Sequence, residues 1–171
     1  MASLKDLRNK IKSVKSIQQV TNAMKMVAAA KLRKSQEDME KARPYTNAIE
    51  EMIHHLIPDI DRSLLPILDS RDIKKKLFLV VSADRGMAGA FNANIIKKTE
   101  QKVSEFGTEN CLIICIGKKS HDYFKRRDFN IIKSYRDFWN TLNVSDALSI
   151  GDMIIEKYLN GEIDSVEVIY N

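Results

Sequence analysis

Apolar and small residues recur at steps of three or four along the first 42 residues of the chain. The mean step is about 3.5 residues, which is the spacing of a coiled coil rather than of an ordinary surface helix. No proline or glycine interrupts residues 1–43. The series is Leu4, Leu7, Ile11, Val14, Ile17, Thr21, Met24, Ala28, Leu32, Ser35, Met39 and Ala42.

Helical spacing resumes after Pro44 and ends by Pro58, so the pattern predicts a coiled-coil helix over residues 1–57. Pro44 lacks an N–H and crowds the preceding turn, and it therefore predicts a kink or a short break. A helix of this length would extend roughly 85 Å at 1.5 Å per residue. We expect it to lie against something outside its own compact domain.

The segment from Val20 to Leu32 is apolar at nine of its thirteen positions. Apolar side chains go most of the way round such a helix, which is typical of a helix surrounded by protein. Ala28, Ala29 and Ala30 add no bulk, so a partner could approach closely. Met24 and Met26 are compatible with ordinary core packing or with sliding contact against another subunit.

A different pattern follows the polar segment 58–76, which the sequence predicts to be a linker. Short continuous apolar runs at Leu77–Val81 and Cys111–Ile116 predict buried strands, and helical spacings alternate with them. Ile131–Ile132 and Ser165–Tyr170 predict two more strands, and Ser145 is the expected N-cap of the last helix. Residues 77–171 are therefore expected to form a parallel, doubly wound, Rossmann-like α/β domain, incomplete at its C-terminus.

Charge is concentrated in the predicted helix. Residues 1–34 contain nine Lys or Arg and one acid, a net charge of +8, whereas the other 137 residues carry −3. The overall +5 is thus a property of one helix, which implies an acidic partner. Residues 1–44 contain no aromatic residue, so no base-stacking platform supports nucleic-acid binding, and we expect none.

The loop after the first strand, Ser82–Asn92, occupies the usual ligand position of an open α/β sheet. It could bind a phosphate, form a sharp turn at its glycines, or contact a protein partner, and we favour protein contact anchored by Arg85. The glycines Gly86 and Gly89 do not fit a dinucleotide motif, and Gly117-Lys118-Lys119-Ser120 departs from the Walker pattern. Asp84 is expected to be an ion-pair or turn acceptor.

No catalytic, metal or cofactor site is predicted. His54 and His55 are adjacent and diverge on a helix, so they do not form a metal pair. Cys111 and Cys115 are too far apart on one strand to bridge and are expected to be buried thiols in a reducing compartment. No apolar run approaches the ~20 residues of a membrane span, and no secretory signal precedes the helix.

Five stretches resemble the gamma subunit of rotary ATP synthase. They are Met1–Arg8, Ile11–Val14, Thr21–Leu32 with Ala42–Tyr45, and Val80–Asn92, and the resemblance extends over the whole chain. It implies an antiparallel coiled coil of N- and C-terminal helices, which forms the rotor axle, with a Rossmann-like domain at its base. The family often has Leu-Cys-Gly where this chain has Met87-Ala88-Gly89. The family also continues past Tyr170 into a C-terminal axle helix, so we expect a truncated product, a fragment or one piece of a split gene.

The resemblance also implies partners. They are the alpha and beta subunits of the head, the epsilon subunit and the membrane ring of c subunits, with the missing C-terminal helix or a second copy along the stripe. The implied location is peripheral, at the cytoplasmic face of the bacterial inner membrane. The candidate partner-binding residues are Met24, Lys25, Ala28, Lys31, Leu32, Arg33, Arg85, Gly86 and Met87.

Two functions are therefore considered. The first is a non-catalytic rotor subunit that couples proton-driven rotation to ATP synthesis on other subunits. The alternative is a small nucleotide-binding α/β protein with a helical oligomerisation arm, and the failed nucleotide motifs weigh against it.

Overall fold

The computed structural model describes residues 3–61, 65–68, 71–141 and 143–171. The chain divides into two compact units, Met1–Ile60 and Asp61–Asn171. The long N-terminal helix and the α/β class predicted from the sequence are both confirmed. Of the predicted linker 58–76, residues 62–64 and 69–70 lie outside the described residues.

The first unit is dominated by one helix, α1, which extends from Leu4 to Leu56. Ser3 caps it: its hydroxyl accepts from the backbone N–H of Lys5, and the Asp6 carboxylate accepts from the N–H of Ser3. These bonds satisfy donors that the first turn leaves free, and Asp6 also stabilises the positive end of the helix dipole. A short 3-10 turn, Ile57–Asp59, follows α1 and includes Pro58.

Of the two alternatives expected at Pro44, a kink or a short break, the break is wrong, because α1 continues through this residue. Proline removes one N–H donor, but it leaves the donors on either side in place. The freed carbonyl group lies on an exposed helix, where water can bond to it. The Thr46 hydroxyl donates to the carbonyl oxygen of Ala42 at 3.2 Å and adds one local contact at this turn.

The second unit alternates strands with helices. The two 3-10 turns described in it are Pro66–Leu68 and Thr108–Asn110. The remaining elements are β1 (Lys76–Val81), α2 (Phe91–Phe106), β2 (Cys111–Ile116), α3 (Lys118–Lys125), β3 (Ile131–Tyr135), α4 (Phe138–Thr141), α5 (Val144–Leu159) and β4 (Ser165–Ile169).

The strands of the described residues form one parallel sheet in the order β3-β2-β1-β4. The chain moves outward from β1 to β2 and β3, and then crosses back to place β4 on the other side of β1. The carboxyl ends of β1 and β4 therefore meet where the direction of winding reverses, which is the usual ligand crevice of such sheets.

Both faces of the sheet are covered, as the continuous apolar strands predicted. Phe78 and Val80 of β1 point to one face, where they pack with Ile95 and Val103 of α2 and Phe124 of α3. The alternate residue of β1, Leu77, points to the other face.

That second face has its own core. There Leu77 packs with Ile114 and Ile163, and the partly buried Ile154 and Tyr158 of α5 lie against them. Alternation along one strand thus supplies two separate cores.

The N-cap of α5 is Asn143 rather than the predicted Ser145. The Asn143 side chain accepts from the backbone N–H of Asp146 at 3.0 Å, and the Asp146 carboxylate accepts from the N–H of Asn143 at 3.3 Å. Asn at this position with an acid three residues later forms a complete capping box. Ser145 lies inside the first turn and donates its hydroxyl to the Asn143 side chain.

Candidate functional site

The side chains of α1 form the first candidate partner surface. All 53 residues of α1 are described, and none of them is buried. Met24 is 64% exposed and Leu32 is 61% exposed, although both side chains are large and apolar. A helix that leaves its whole apolar stripe in solvent gains little stability from its own chain, because helical stability in proteins comes mostly from packing. This surface is suited to covering by a partner.

Basic side chains surround the same segment. Lys25, Lys31 and Arg33 are exposed, and Arg33 pairs with Glu37 one turn later at 2.9 Å. Exposed pairs of this kind contribute under about 1 kcal/mol and are screened by salt. At about 100° per residue, Arg33 lies opposite Met24, whereas Lys31, seven residues from Met24, lies on the same side of the helix as that methionine.

The second candidate surface is the loop between β1 and α2. Its base is fixed by hydrogen bonds: the Asn92 side-chain oxygen accepts from the N–H of Ala83 at 3.0 Å, and Asp84 Oδ1 accepts from the N–H groups of Lys118 at 2.8 Å and Asp137 at 3.1 Å. Asp84 is thus a turn acceptor for two other segments. This is one of the two roles, ion-pair or turn acceptor, that the sequence predicted for it.

The tip of this loop projects into solvent. Met87 is fully exposed and has a backbone φ of 57°, a left-handed conformation that is uncommon for a residue other than glycine. Arg85 and Gly86 are exposed beside it. A fixed base that presents an exposed methionine is a surface suited to protein contact, because the flexible thioether adapts to irregular partners.

The backbone N–H groups at the start of α3 are bonded to acceptors from the end of β1 and the loop that follows it. The backbone N–H groups of Lys118, Lys119 and Ser120 bond respectively to Asp84 Oδ1, to the carbonyl oxygen of Ala83 at 3.1 Å, and to Ser82 Oγ at 3.0 Å. These are the donors that a phosphate would use at a helix N-terminus. The Walker-like tetrapeptide 117–120 therefore has its amides committed to the fold.

Trp139 bridges to the same end of the sheet. Its indole Nε1 donates to the carbonyl oxygen of Ser82 at 2.9 Å, and its ring lines an apolar groove with Phe91 and Tyr170. The sequence did not indicate whether this residue belongs to the core or to a contact surface. It is half-exposed and does both, because its polar edge is bonded inward and part of its ring remains accessible.

The adjacent histidines lie on α1, and the two cysteines lie on β2. His55 Nδ1 lies 2.7 Å from the carbonyl oxygen of Glu51, and the described residues contain no group of three potential metal ligands. Cys111 and Cys115 are free and buried, as predicted. Burial raises the pKa of Cys115 to about 11, which keeps the thiol protonated. No helix of the described ranges is long and apolar enough to cross a membrane.

Comparison with known proteins identifies the family. A family model described as ATP synthase matches residues 3–171. The chain belongs to the ATP synthase family. Two relatives, each named ATP synthase gamma chain, come from Chlorobium phaeobacteroides strain BS1 (45% identical over all of this chain and 60% of the relative) and Moorella thermoacetica (40% identical over 99% and 60%). The chain thus spans about 60% of the length of these relatives.

A solved structure supports the fold of this family member. The central stalk with c-ring of the Tetrahymena thermophila mitochondrial ATP synthase has a chain that matches with a TM-score of 0.70. It is 21% identical, and the match covers 89% of this chain and 65% of that chain. At this identity the likeness concerns the fold.

The predicted site residues fall into two groups in this ATP synthase family member. Met24, Lys25, Ala28, Lys31, Leu32 and Arg33 lie on α1 in the first unit, and Arg85, Gly86 and Met87 lie on the loop of the second unit. The first group was predicted because apolar and basic residues follow a regular spacing along one helix. The partners of Asp84 and Trp139 lie 34 to 57 residues away in sequence, and no local pattern points to them.

Proposed function

We propose that this chain is a central-stalk, gamma-type subunit of a proton-translocating ATP synthase and is itself non-catalytic. In this role it transmits torque between proton-driven rotation at the membrane and nucleotide chemistry on other subunits. The observation that carries the proposal is α1: a 53-residue helix with no buried residue, in a chain of the ATP synthase family.

The dimensions of α1 support an axle. At 1.5 Å per residue it extends about 80 Å, and its apolar stripe is exposed along its length. In the proposed assembly, Met24, Ala28 and Leu32 contact a second helix or the surrounding head. Lys25, Lys31 and Arg33 lie towards acidic groups of the head.

The proposed partners are the alpha and beta subunits of the head, the epsilon subunit and the membrane ring of c subunits. The second unit, with its Arg85–Met87 tip, supplies the contacts outside the coiled coil. The proposed location is peripheral, at the cytoplasmic face of the bacterial inner membrane.

Many weak charge pairs suit a rotating surface, because each contact must break and form again during a turn. Exposed pairs contribute under about 1 kcal/mol each and weaken with salt. Arg85→Ala or Lys31→Ala alone is therefore expected to change assembly with the head only slightly. Reversing Lys25, Lys31, Arg33 and Arg85 together to Glu is expected to weaken assembly strongly, most of all at low ionic strength.

The measurement is co-purification of the chain with the alpha and beta subunits across a salt series. A matched control reverses four exposed lysines of the second unit, Lys97, Lys98, Lys125 and Lys133, and so makes the same change in net charge. If the first quadruple variant binds like the unmodified chain at low salt, the electrostatic role of α1 and Arg85 is excluded. Equal loss in both variants would attribute the effect to net charge alone.

The nucleotide-binding alternative has its own test. The amide donors at the start of α3 already bond to Asp84, Ala83 and Ser82, which leaves them unable to bind a phosphate without rearrangement. Titration of the purified chain with ATP or NAD is expected to show no saturable binding. Micromolar binding of either nucleotide would favour the alternative.

A further inference from the structure

His121 is a buried imidazole that lacks a hydrogen-bond partner. It lies on the buried face of α3 and is only 8% exposed. The ring makes no hydrogen bond to any group in the described part of the chain, and of its two nitrogens only Nδ1 is shut off from solvent. Buried polar side chains are nearly always hydrogen-bonded, so this ring points to a partner supplied from outside the chain.

The ring lines a groove between α3 and β3, at the outer edge of the sheet. The groove has a volume of about 730 Å³, which is in the range of small-molecule sites. One side of it is apolar and consists of Phe129, Ile131 and Ile132, here called the apolar wall. The Phe129 ring is held in place by edge-on packing against the buried Phe124, with the ring centroids 5.1 Å apart.

The proton of the neutral imidazole belongs on Nε2, the nitrogen that solvent can reach. Burial and the positive charge of Arg136 lower the pKa of His121, so the ring is neutral at pH 8. A neutral imidazole has one N–H donor and one acceptor nitrogen. A buried N–H without a partner is rarer in proteins than a buried acceptor without one. Nδ1 is therefore the acceptor, and Nε2–H is a donor available to the groove.

A backbone donor faces the groove from β3. The N–H of Gly117 donates to the carbonyl oxygen of Tyr135 at 2.8 Å, so Tyr135 directs its backbone groups towards β2. Successive residues of a parallel strand direct their backbone groups to opposite sides, and Ser134, which lines the groove, therefore directs its N–H away from β2. β3 is the outer strand of the described sheet, so no neighbouring strand of that sheet accepts this hydrogen bond.

Charged residues around the groove favour an anion. Lys125 and Lys133 line it and are exposed, and neither forms an ion pair within the described ranges. Arg136 adds a third positive charge near the imidazole. The acids are Asp128 in the lining and Asp122 near the ring, so positive charge exceeds negative charge by one. A groove with excess positive charge attracts an anionic ligand.

We propose that the groove between α3 and β3 binds a small organic carboxylate that carries an apolar stem. Its oxygens accept from Nε2–H of His121 and from the backbone N–H of Ser134, and Lys125 and Lys133 supply the opposite charge. The stem packs against the apolar wall, which a phosphate ion, polar on all sides, would leave uncovered. The inference is independent of the rotor function proposed above, because these residues belong neither to α1 nor to the loop tip 85–87.

The probe is hexanoate, titrated into the isotope-labelled 171-residue chain at pH 8 and followed by NMR. The imidazole resonances report the tautomer, and the chain has only two other histidines, His54 and His55. We expect the Nε2–H tautomer before titration and saturable shifts of the His121 ring and the Ser134 amide. In saturating hexanoate the pKa of His121 is expected to rise, because a bound anion stabilises the charged ring.

A matched pair of double variants tests the charges. Lys125→Gln with Lys133→Gln removes the two cations of the groove, and Lys97→Gln with Lys98→Gln makes the same change in net charge on α2. All four lysines are exposed, so both variants are expected to fold. The first is expected to weaken hexanoate binding about fivefold to tenfold, whereas the second leaves it unchanged.

Hexanol and acetate separate the two parts of the ligand. Hexanol lacks the charge and acetate lacks the stem, so each is expected to bind at least about tenfold more weakly than hexanoate. The proposal is overturned by any of four results: no saturable binding of hexanoate, equal binding of hexanol, acetate or inorganic phosphate, shifts that leave the His121 ring unaffected, or equal loss in the two double variants.

Discussion

The indole nitrogen of Trp139 and the carbonyl oxygen of Ser82 are joined by a hydrogen bond of 2.9 Å across 57 residues of sequence. It ties α4 to the end of the central strand β1, beside the loop that presents Arg85 and Met87. Ser82 Oγ also bonds to Ser120 Oγ at 2.8 Å, so Ser82 connects β1 with both α3 and α4. The geometry of the loop base therefore depends on contacts made well outside the loop.

Trp139→Phe tests the first of these contacts. The variant keeps an aromatic ring but removes the donor, and the free energy of unfolding is expected to fall by about 1 kcal/mol, the usual contribution of one hydrogen bond. Trp139 is the sole tryptophan, so urea unfolding must be followed by circular dichroism. An unchanged unfolding free energy would show that the bond contributes nothing to stability.

Gly117→Ala tests the close approach of β2 to β1. Gly117 has a φ of +100°, and an added Cβ would lie 2.1 Å from the carbonyl oxygen of Ser82. Strain and overpacking together are expected to destabilise the second unit by roughly 3 kcal/mol or more. Gly151→Ala is the control, since nothing lies within 4 Å of its added Cβ in α5, and a gain of about 0.5–1 kcal/mol is expected there. Similar effects at both sites would contradict the argument.

Arg71→Ala tests the contacts that join the segment before β1 to the segment between α5 and β4. The guanidinium donates to the carbonyl oxygens of Tyr158 and Ile163 and pairs with Asp164 at 3.0 Å. The Asp164 carboxylate also accepts from the backbone N–H groups of Lys74 and Lys75. Loss of Arg71 leaves these acceptors without the cation, so the melting temperature of the second unit is expected to fall. Lys74→Ala, which keeps the backbone donor, is the control and is expected to have little effect. Thermal melts by circular dichroism compare the two variants.

His121 predicts a pH dependence of stability. Burial, reinforced by the charge of Arg136, lowers the pKa of this imidazole below its usual 6.5, and Nδ1 is buried without a partner among the described groups. The unfolded chain then binds a proton more readily than the folded one, so the free energy of unfolding falls as pH drops below about 6.5. Urea unfolding from pH 8 to pH 5.5 measures this, and His121→Gln is expected to flatten the curve. Equal slopes in the two proteins would exclude His121 as the cause.

Ile114→Ala and Ala29→Leu test the separation of the two units. Ile114 is fully buried in the sheet, and truncating it is expected to lower the stability of the second unit by about 2–5 kcal/mol. Ala29 is exposed on α1, so adding bulk there is expected to leave that unfolding transition unchanged while impairing assembly with the head subunits. Denaturation combined with co-purification measures both effects. An equal shift of one transition by both variants would contradict a two-unit architecture.

The sequence determined the elements whose signals are local. Continuous apolar runs placed β1 and β2, and steps of three and four residues placed α1 and much of α5, because burial on one or both sides repeats along the chain. The concentration of positive charge in residues 1–34 was equally visible. So was the resemblance that the family comparison confirmed.

Only the tertiary structure decided the strand order β3-β2-β1-β4, the contacts of Trp139 and Asp84, and the ties of Arg71 to Asp164. These depend on which segments meet in space, and their partners lie between 34 and 93 residues apart in sequence. Two local expectations were also wrong, for local reasons. Pro44 costs one hydrogen bond in a helix that remains exposed to water, and Asn143 forms a complete capping box two residues before Ser145. The spacing of apolar residues shows which face of a helix or strand is apolar. Which residues bond to each other depends on the geometry of their hydrogen bonds in the folded chain.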